Sequence, residues 1–441
     1  MLGAIDISGG DTAWVLTSAA LVLLMTPGLA FFYGGMVRAK SVINMMLMSL
    51  IAIAVVSILW VLYGYAVAFG DSGSQWYGAL TFSHLSSAVN AVPNNGGEYP
   101  IPTLAFAGFQ LMFAIITPAL ISGAIADRAK FVAWTAFVAA WVTIVYFPVA
   151  HWVFDFGTKT GDTITGAGFL AARGVLDFAG GTAVHINAGA AGLVLALMLG
   201  KRVGFKKEPM RPHSIPLVVL GAGLLWFGWF GFNAGSALGA NGMAALAFMN
   251  TQVATAAAVA GWLLVERLRD GHATGLGAAS GAVAGLVAIT PACAFVSPMA
   301  AIAIGIIAGA LCSYAVGLKY RLGYDDSLDV VGVHLVGGIW GTLSIGLFGT
   351  TAVNSLGADG LFYGGGLTLM GKQLLGVGVV MAYSLIGTAI IAKVIDRVIG
   401  FRIDRDAEIE GIDSVEHAET AYELDTRTGS GSFAARVAQE A

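Results

Sequence analysis

Asp177-Phe-Ala-Gly-Gly-Thr-Ala-Val-His185-Ile-Asn187 leads without interruption into Ala-Gly-Ala-Ala-Gly-Leu-Val-Leu-Ala-Leu-Met-Leu, residues 188–199. The stretch puts a carboxylate at the head of an apolar window, near 180–200, and an imidazole inside it. About 20 apolar residues suffice to cross the hydrocarbon core as a helix. An ionisable ring within such a span is costly and reads as functional. The same texture returns about 150 residues later in Asp329-Val-Val-Gly-Val-His334-Leu-Val-Gly-Gly. His185 and His334 are the two histidines well inside spans, so these segments decide both architecture and site.

Working outward, apolar windows recur near 12–32, 43–69, 101–125, 131–154, 180–200, 215–236, 243–265, 274–292, 298–317, 330–349 and 373–399. The chain therefore reads as an all-α polytopic membrane protein of eleven transmembrane helices. Composition agrees. Of 441 residues, 57% are hydrophobic and 11% charged, against about 25% charged in soluble domains; mean hydropathy is +0.81. So little charge cannot cover a water-facing surface, which excludes a soluble enzyme and a nucleic-acid binder. The 61 glycines suit close helix packing in lipid, and the period-2 alternation of a barrel is absent. Cys293 and Cys312 lie in apolar segments and are too few for a disulfide framework or a metal cage, so both read as packing residues. Before Asp11 there is no Lys or Arg, so the first window reads as a retained span rather than a secretory signal.

Every second connection is basic: Arg38 and Lys40; Arg128 and Lys130; Lys201, Arg202, Lys206, Lys207 and Arg211; Arg267 and Arg269; Lys319 and Arg321. The remaining connections, with the head of the last span, hold only Lys159, Arg173 and Lys372. The positive-inside bias then predicts an N-terminus outside and a C-terminus inside, which an odd number of spans also requires. Residues 402–441 carry four basic and ten acidic side chains. With the apolar windows ending near Gly400, the chain divides into a membrane domain, 1–400, and a cytoplasmic acidic tail, 401–441, flexible from Gly429 onward.

His185 falls in span five and His334 in span ten, the fifth of each half. Five is odd, so the second half enters from the opposite face, and an inverted five-plus-five repeat around a central pore follows. His185 stands eight residues after Asp177, roughly 12 Å at the helical rise. If span ten enters near Asp326, His334 is as deep from the other side, and in a core about 30 Å thick the two rings meet near the midplane. His151, at the outer end of span four, reads as interfacial; His84, His213, His272 and His417 read as solvated.

Phe109-Gln110, Trp152, Phe154, Trp229, Phe230 and Phe232 place aromatics at or near the outer ends of spans three, four and six. They form either an interfacial belt or, grouped with Ser236, a vestibule for a small cation attracted by ring quadrupoles. An aromatic mouth, an apolar bore and neutral imidazoles midway suit a cation that can give up its proton. Ammonium has that property; potassium and sodium do not. Asp177 reads as a helix cap, as a source of negative potential beneath the vestibule, or as both. Asn caps nearly as well as Asp, so Asp177→Asn is expected to separate those roles at near-normal stability.

The motif 177–187, together with Gly228-Trp-Phe-Gly-Phe-Asn-Ala-Gly-Ser236, Phe109-Gln-Leu-Met-Phe-Ala-Ile-Ile-Thr-Pro-Ala and Gly332-Val-His334, resembles the ammonium transporter/methylammonium permease (Amt/Mep/Rh) family, its bacterial Amt branch above all. The resemblance runs from Asp11 to about Tyr422. It implies a homotrimer with one pore per protomer, carrying ammonium or methylammonium, with His185 and His334 as the twin-histidine pair. It implies Phe109 and Phe232 as a stacked gate, and Phe109, Phe154 and Ser236 as the outer recruitment site with Asp177 beneath. Phe154 stands where the family usually has Trp; Trp152, on another helical face, is the alternative. In the tail, Gly400-Phe-Arg402, Glu410-Gly411-Ile-Asp413 and His417 to Tyr422 resemble the regulatory region that contacts a neighbouring protomer and a PII-type signalling protein. Ala418 replaces a common Gly there. A disordered acidic tail is the alternative.

Two other readings stay open at this level. An ammonium sensor that conducts little predicts an appended signalling domain. A membrane electron-transfer protein would use His185 and His334 as axial haem ligands, though a single histidine pair supplies no second ligand set. The transporter reading itself needs no cofactor and no metal.

Overall fold

The computed structural model describes residues 6–70, 73–79, 85 and 91–422; His84 and the stretch from Gly429 lie outside them. Eleven helices traverse the described residues: α1 (Gly9–Met36), α2 (Ala39–Phe69), α3 (Thr103–Ile125), α4 (Phe131–Phe154), α5 (Gly181–Leu199), α6 (Ile215–Gly235), α7 (Gly242–Asp270), α8 (Gly275–Ile289), α9 (Pro298–Leu322), α10 (Val331–Phe348) and α11 (Thr368–Ile399). Ten of them are long and apolar enough to cross a membrane, and the protein is a multi-pass membrane protein. The exception is α8, with 15 residues. The window 274–292 promised a longer helix, but Pro291 supplies no N–H to continue it. Its residues from Ala279 to Ile289 are buried, as befits a helix enclosed by its neighbours rather than by lipid.

The helix ends carry their own signals. Ser8, Ser214, Asn241, Thr274 and Ser297 each accept the N–H three residues on, which satisfies one orphan donor of α1, α6, α7, α8 and α9. Small residues set the helix separations. A Cβ at Gly221 of α6 would strike the Phe32 backbone of α1, and one at Gly309 of α9 would strike the Ala258 carbonyl of α7. Such contacts replace the hydrophobic drive that lipid cannot supply.

On the face from which α10 starts and α5 ends, the connections close around buried charge. Arg202 meets Asp325 at 2.8 Å and Asp127 at 3.2 Å, and Arg38 reaches Asp127 at 3.2 Å. Burial alone would raise both carboxyls, but the Arg202 guanidinium holds each below its usual range. Arg128, fully buried, donates to the Ala124 and Asp325 carbonyls and to Ser327 Oγ. Removing one partner of a buried pair strands the other, at about 3–5 kcal/mol. Asp325→Ala is therefore expected to lower the melting temperature of the purified protein clearly; an unchanged midpoint would show the cluster to be solvated.

The tail folds onto this same face through α12 (Arg405–Glu410) and α13 (Ile412–His417), so a disordered tail is not what residues 401–422 form. Arg402 donates to the Leu199 and Lys201 carbonyls and pairs with Glu408 at 2.8 Å. The Asp413 carboxylate accepts the Ile43 and Asn44 N–H groups at 2.9 and 2.8 Å, capping α2. His417 Nε2 meets Asn44 Oδ1 at 3.0 Å, and Tyr422 Oη meets His213 Nε2 at 2.9 Å, so neither histidine is simply solvated. Gly411 has φ +134° and no room for a Cβ beside Lys40. Ala418 adopts φ +55° to close α13, a left-handed turn that costs a non-glycine residue about 1–2 kcal/mol. Glu410 is exposed; Glu408, two residues earlier and on the opposite face of α12, is buried and docks instead.

Candidate functional site

Two helices that begin alike bring the histidines together. α5 opens with a π-helical turn, Gly181–Ile186, and α10 with another, Val331–Leu335; such bulges cluster at functional positions. The Asp177 carboxylate accepts the Gly181 and Thr182 N–H groups, four and five residues on, at 2.8 and 2.7 Å. The Asp326 carboxylate accepts Val330 and Val331, again four and five residues on, at 3.1 and 2.7 Å. His185 and His334 each follow their capping Asp by eight residues. The acid that heads α10 is thus Asp326; Asp329 turns instead to Lys319 at 2.7 Å.

His185 Nδ1 and His334 Nδ1 lie 3.3 Å apart, with the rings 17° from parallel. The side chains are 1% and 3% exposed. A shared Nδ1···Nδ1 bond holds one proton between two neutral rings, leaving one Nε2 protonated and one bare. His185 Nε2 has no protein partner. Close approach of the helices makes the pair possible, since a Cβ at Gly338 would lie 3.1 Å from the His185 Cβ.

A narrow cavity of about 10 Å³ runs beside the pair, walled by Met25, Leu29, Ile116, Leu225 and Val283. Trp229 stacks on His185 at 5.4 Å and donates to Thr290 Oγ1 at 2.7 Å. It therefore stands at histidine depth, not at the helix mouth where the sequence placed it. Phe230 leaves the path altogether and stacks on Phe248 at 4.2 Å.

The gate pair read from sequence needs correction. The ring against Phe232 is Phe113, at 4.4 Å, and Phe109 packs edge-on against Phe113 at 4.9 Å. Phe109 and Phe113 are one helical turn apart and share a face, so the spacing Phe109-Gln-Leu-Met-Phe113 carried this signal. Above Phe113 a vestibule of about 650 Å³ opens, lined by Phe109, Phe154, Ser236, Asp177 and Asn354 among others. Ser236 Oγ donates to the Phe232 carbonyl at 2.8 Å, so its lone pairs are what it can offer a cation. Trp152 does not line this space: its indole donates to the Trp76 carbonyl and its ring lies 4.6 Å from Tyr383. Phe154 does.

Asp177 is 6% exposed and its carboxylate is fully engaged. Oδ1 accepts Gly180 and Gly181; Oδ2 accepts Thr182 N and Oγ1 and Ala183 N. Nothing is left to bind a cation directly, and no amide could reproduce this set. These contacts argue against the expectation that Asp177→Asn is stability-neutral. His151, read as interfacial, has no exposed surface, because the connection after α2 folds across it.

A profile of the Ammonium Transporter Family matches residues 13–422. The chain is 56% identical to an ammonium transporter of Mycobacterium tuberculosis over 445 aligned positions, covering 96% of this chain and 92% of the relative. Among solved structures, Candida albicans Mep2 superposes with a TM-score of 0.84 at 34% identity, covering 95% of this chain and 94% of that one. A chain described as a Sensor Amt Protein gives 0.82 at 30% identity, with 92% and 98% covered.

Proposed function

Because the chain belongs to the ammonium transporter family, we propose that it conducts ammonia from the vestibule past the histidine pair, with the vestibule face outside and the tail face in the cytoplasm. Ammonium transport is the family's activity; the route is our reading. The vestibule attracts the cation through the Phe109 and Phe154 rings and the Ser236 lone pairs. Phe113 and Phe232 close the path below, so a hydrated ion cannot follow, and ammonium must shed water and a proton there. Neutral ammonia then meets hydrogen-bonding imidazole nitrogens in an otherwise apolar bore. The proton stays behind or crosses separately along the two imidazoles. The observation that carries the proposal is the buried Nδ1···Nδ1 contact of 3.3 Å beside an apolar cavity, with His185 Nε2 left without a partner in the protein. The protein works as a homotrimer whose tail, docked through Arg402, Asp413, His417 and Tyr422, receives a PII-type regulator.

Current and lumenal pH recorded together in reconstituted vesicles during an ammonium pulse test this. A lumenal pH rise without current gives electroneutral ammonia flux; current without a lumenal pH rise gives a proton crossing separately with each ammonia. Neither signal would leave the sensor reading standing. Phe154→Trp is expected to lower the half-saturating ammonium concentration, because indole is the stronger cation–π surface. An unchanged value would remove Phe154 from the cation's shell.

A further inference from the structure

His151 lies in the last turn of α4, three residues before Phe154, and every polar atom its ring meets is an acceptor. Nδ1 lies 3.0 Å from the Ala68 carbonyl and 3.0 Å from Asp155 Oδ2, while Nε2 lies 2.7 Å from the Ser74 carbonyl. A neutral imidazole has one N–H and one bare lone pair. Whichever nitrogen were bare would point that lone pair at a carbonyl oxygen within 3.0 Å. Moving the proton to Asp155 does not help: Asp155 could then donate to Nδ1, but the Ala68 carbonyl would face the same lone pair. Only the imidazolium, with both nitrogens donating, satisfies the set.

These bonds hold the rim of the vestibule. His151 ties α4 to the end of α2 and to the connection after it, and Trp152 Nε1 donates to the Trp76 carbonyl of that connection. Asp155 in turn accepts Gly157 N at 2.7 Å, and its carbonyl accepts Gly168 N at 2.8 Å. Between these anchors sits Phe154, whose carbonyl accepts Asn95 Nδ2 at 2.8 Å. Of the ionisable groups described, Asp155 is the one in contact with the ring. Arg173 bonds Gln75 and Phe169 from the exposed side of the same region, Trp76 and Trp152 add no charge, and Asp71 is outside the described residues.

We propose that His151 is a positioning residue that stays charged through neutral pH: a buried imidazolium paired with Asp155 that fixes Phe154 in the cation vestibule, and whose deprotonation in stronger alkali loosens substrate recruitment without touching the histidine pair. The proposal rests on the reading of the vestibule as the recruitment site. Protein labelled with ¹⁵N in its histidine rings, with the His151 signal assigned by its loss in His151→Gln, reports how many ring nitrogens carry protons. His151 is expected to stay doubly protonated at pH 8, where an ordinary imidazole is neutral; a bare nitrogen at that pH overturns the proposal. Flux in vesicles, at ammonium-ion concentrations held constant while pH is varied, gives the second reading. His151→Gln is expected to raise the half-saturating concentration by roughly three- to ten-fold, the size of one cation–π contact, with the maximal rate kept and without the alkaline loss of affinity expected of the unmutated protein. A normal half-saturation in His151→Gln, where Phe154→Ala raises it, overturns the positioning role alone. A normal value in Phe154→Ala sinks the recruitment reading and the positioning role with it.

Discussion

His185→Ala or His334→Ala is expected to leave a folded protein that has lost selective ammonium uptake. Each ring's hydrogen-bond partner in the protein is the other ring, so truncating one orphans a single nitrogen and no backbone group. The loss falls on the permeant molecule. Ammonia stripped of water needs a hydrogen-bonding partner in the bore, and the walls beside the pair are Met, Leu, Ile and Val. One or two missing hydrogen bonds, at about 1–1.5 kcal/mol each, slow passage by roughly 10- to 100-fold. The alanine cavity also admits water, which weakens discrimination against potassium. Flux and potassium leak measured on the same vesicles check both effects. Unmutated flux with intact potassium exclusion, in either folded variant, would remove the pair from the mechanism.

Asp177→Asn is expected to be nearly as damaging as Asp177→Ala, and to act through folding. The two carboxylate oxygens accept four backbone N–H groups and one hydroxyl at the head of α5. Bonds to a charged acceptor contribute about 1.5–3 kcal/mol each, well above the ~1 kcal/mol of an ordinary N-cap. Asn keeps one acceptor and turns its NH₂ toward donors at the other position. The π-turn that aims His185 would then relax, so stability and transport should fall together, as read by melting temperature and vesicle flux. An Asn variant with unaltered melting but slow transport would restore a purely electrostatic role for this carboxylate.

The mirrored Asp326 makes the complementary point about legibility. Its spacing of eight residues to His334 equals that of Asp177 to His185, and the sequence offered both Asp326 and Asp329 as the head of the tenth span. Only the folded backbone chose, by giving Asp326 the α10 N–H groups and Asp329 the Lys319 ammonium.

What the sequence determined by itself is what hydropathy and covalent order determine: the run of apolar helices and the two histidines that lie within them. A bilayer enforces these one segment at a time, because each span must satisfy its own backbone hydrogen bonds. What the tertiary structure decided is which side chains share a space. Phe113 rather than Phe109 meets Phe232, Trp229 stands beside His185, Phe230 leaves the path, and Glu408 rather than Glu410 anchors the tail. Each depends on helix rotation and depth, which packing against neighbours sets. His151 is the extreme case: three acceptors come to its ring from Ala68, Ser74 and Asp155. Two of them are backbone carbonyls from about 80 residues away in the chain, and every residue's carbonyl looks alike in a sequence until a fold brings it to a particular imidazole.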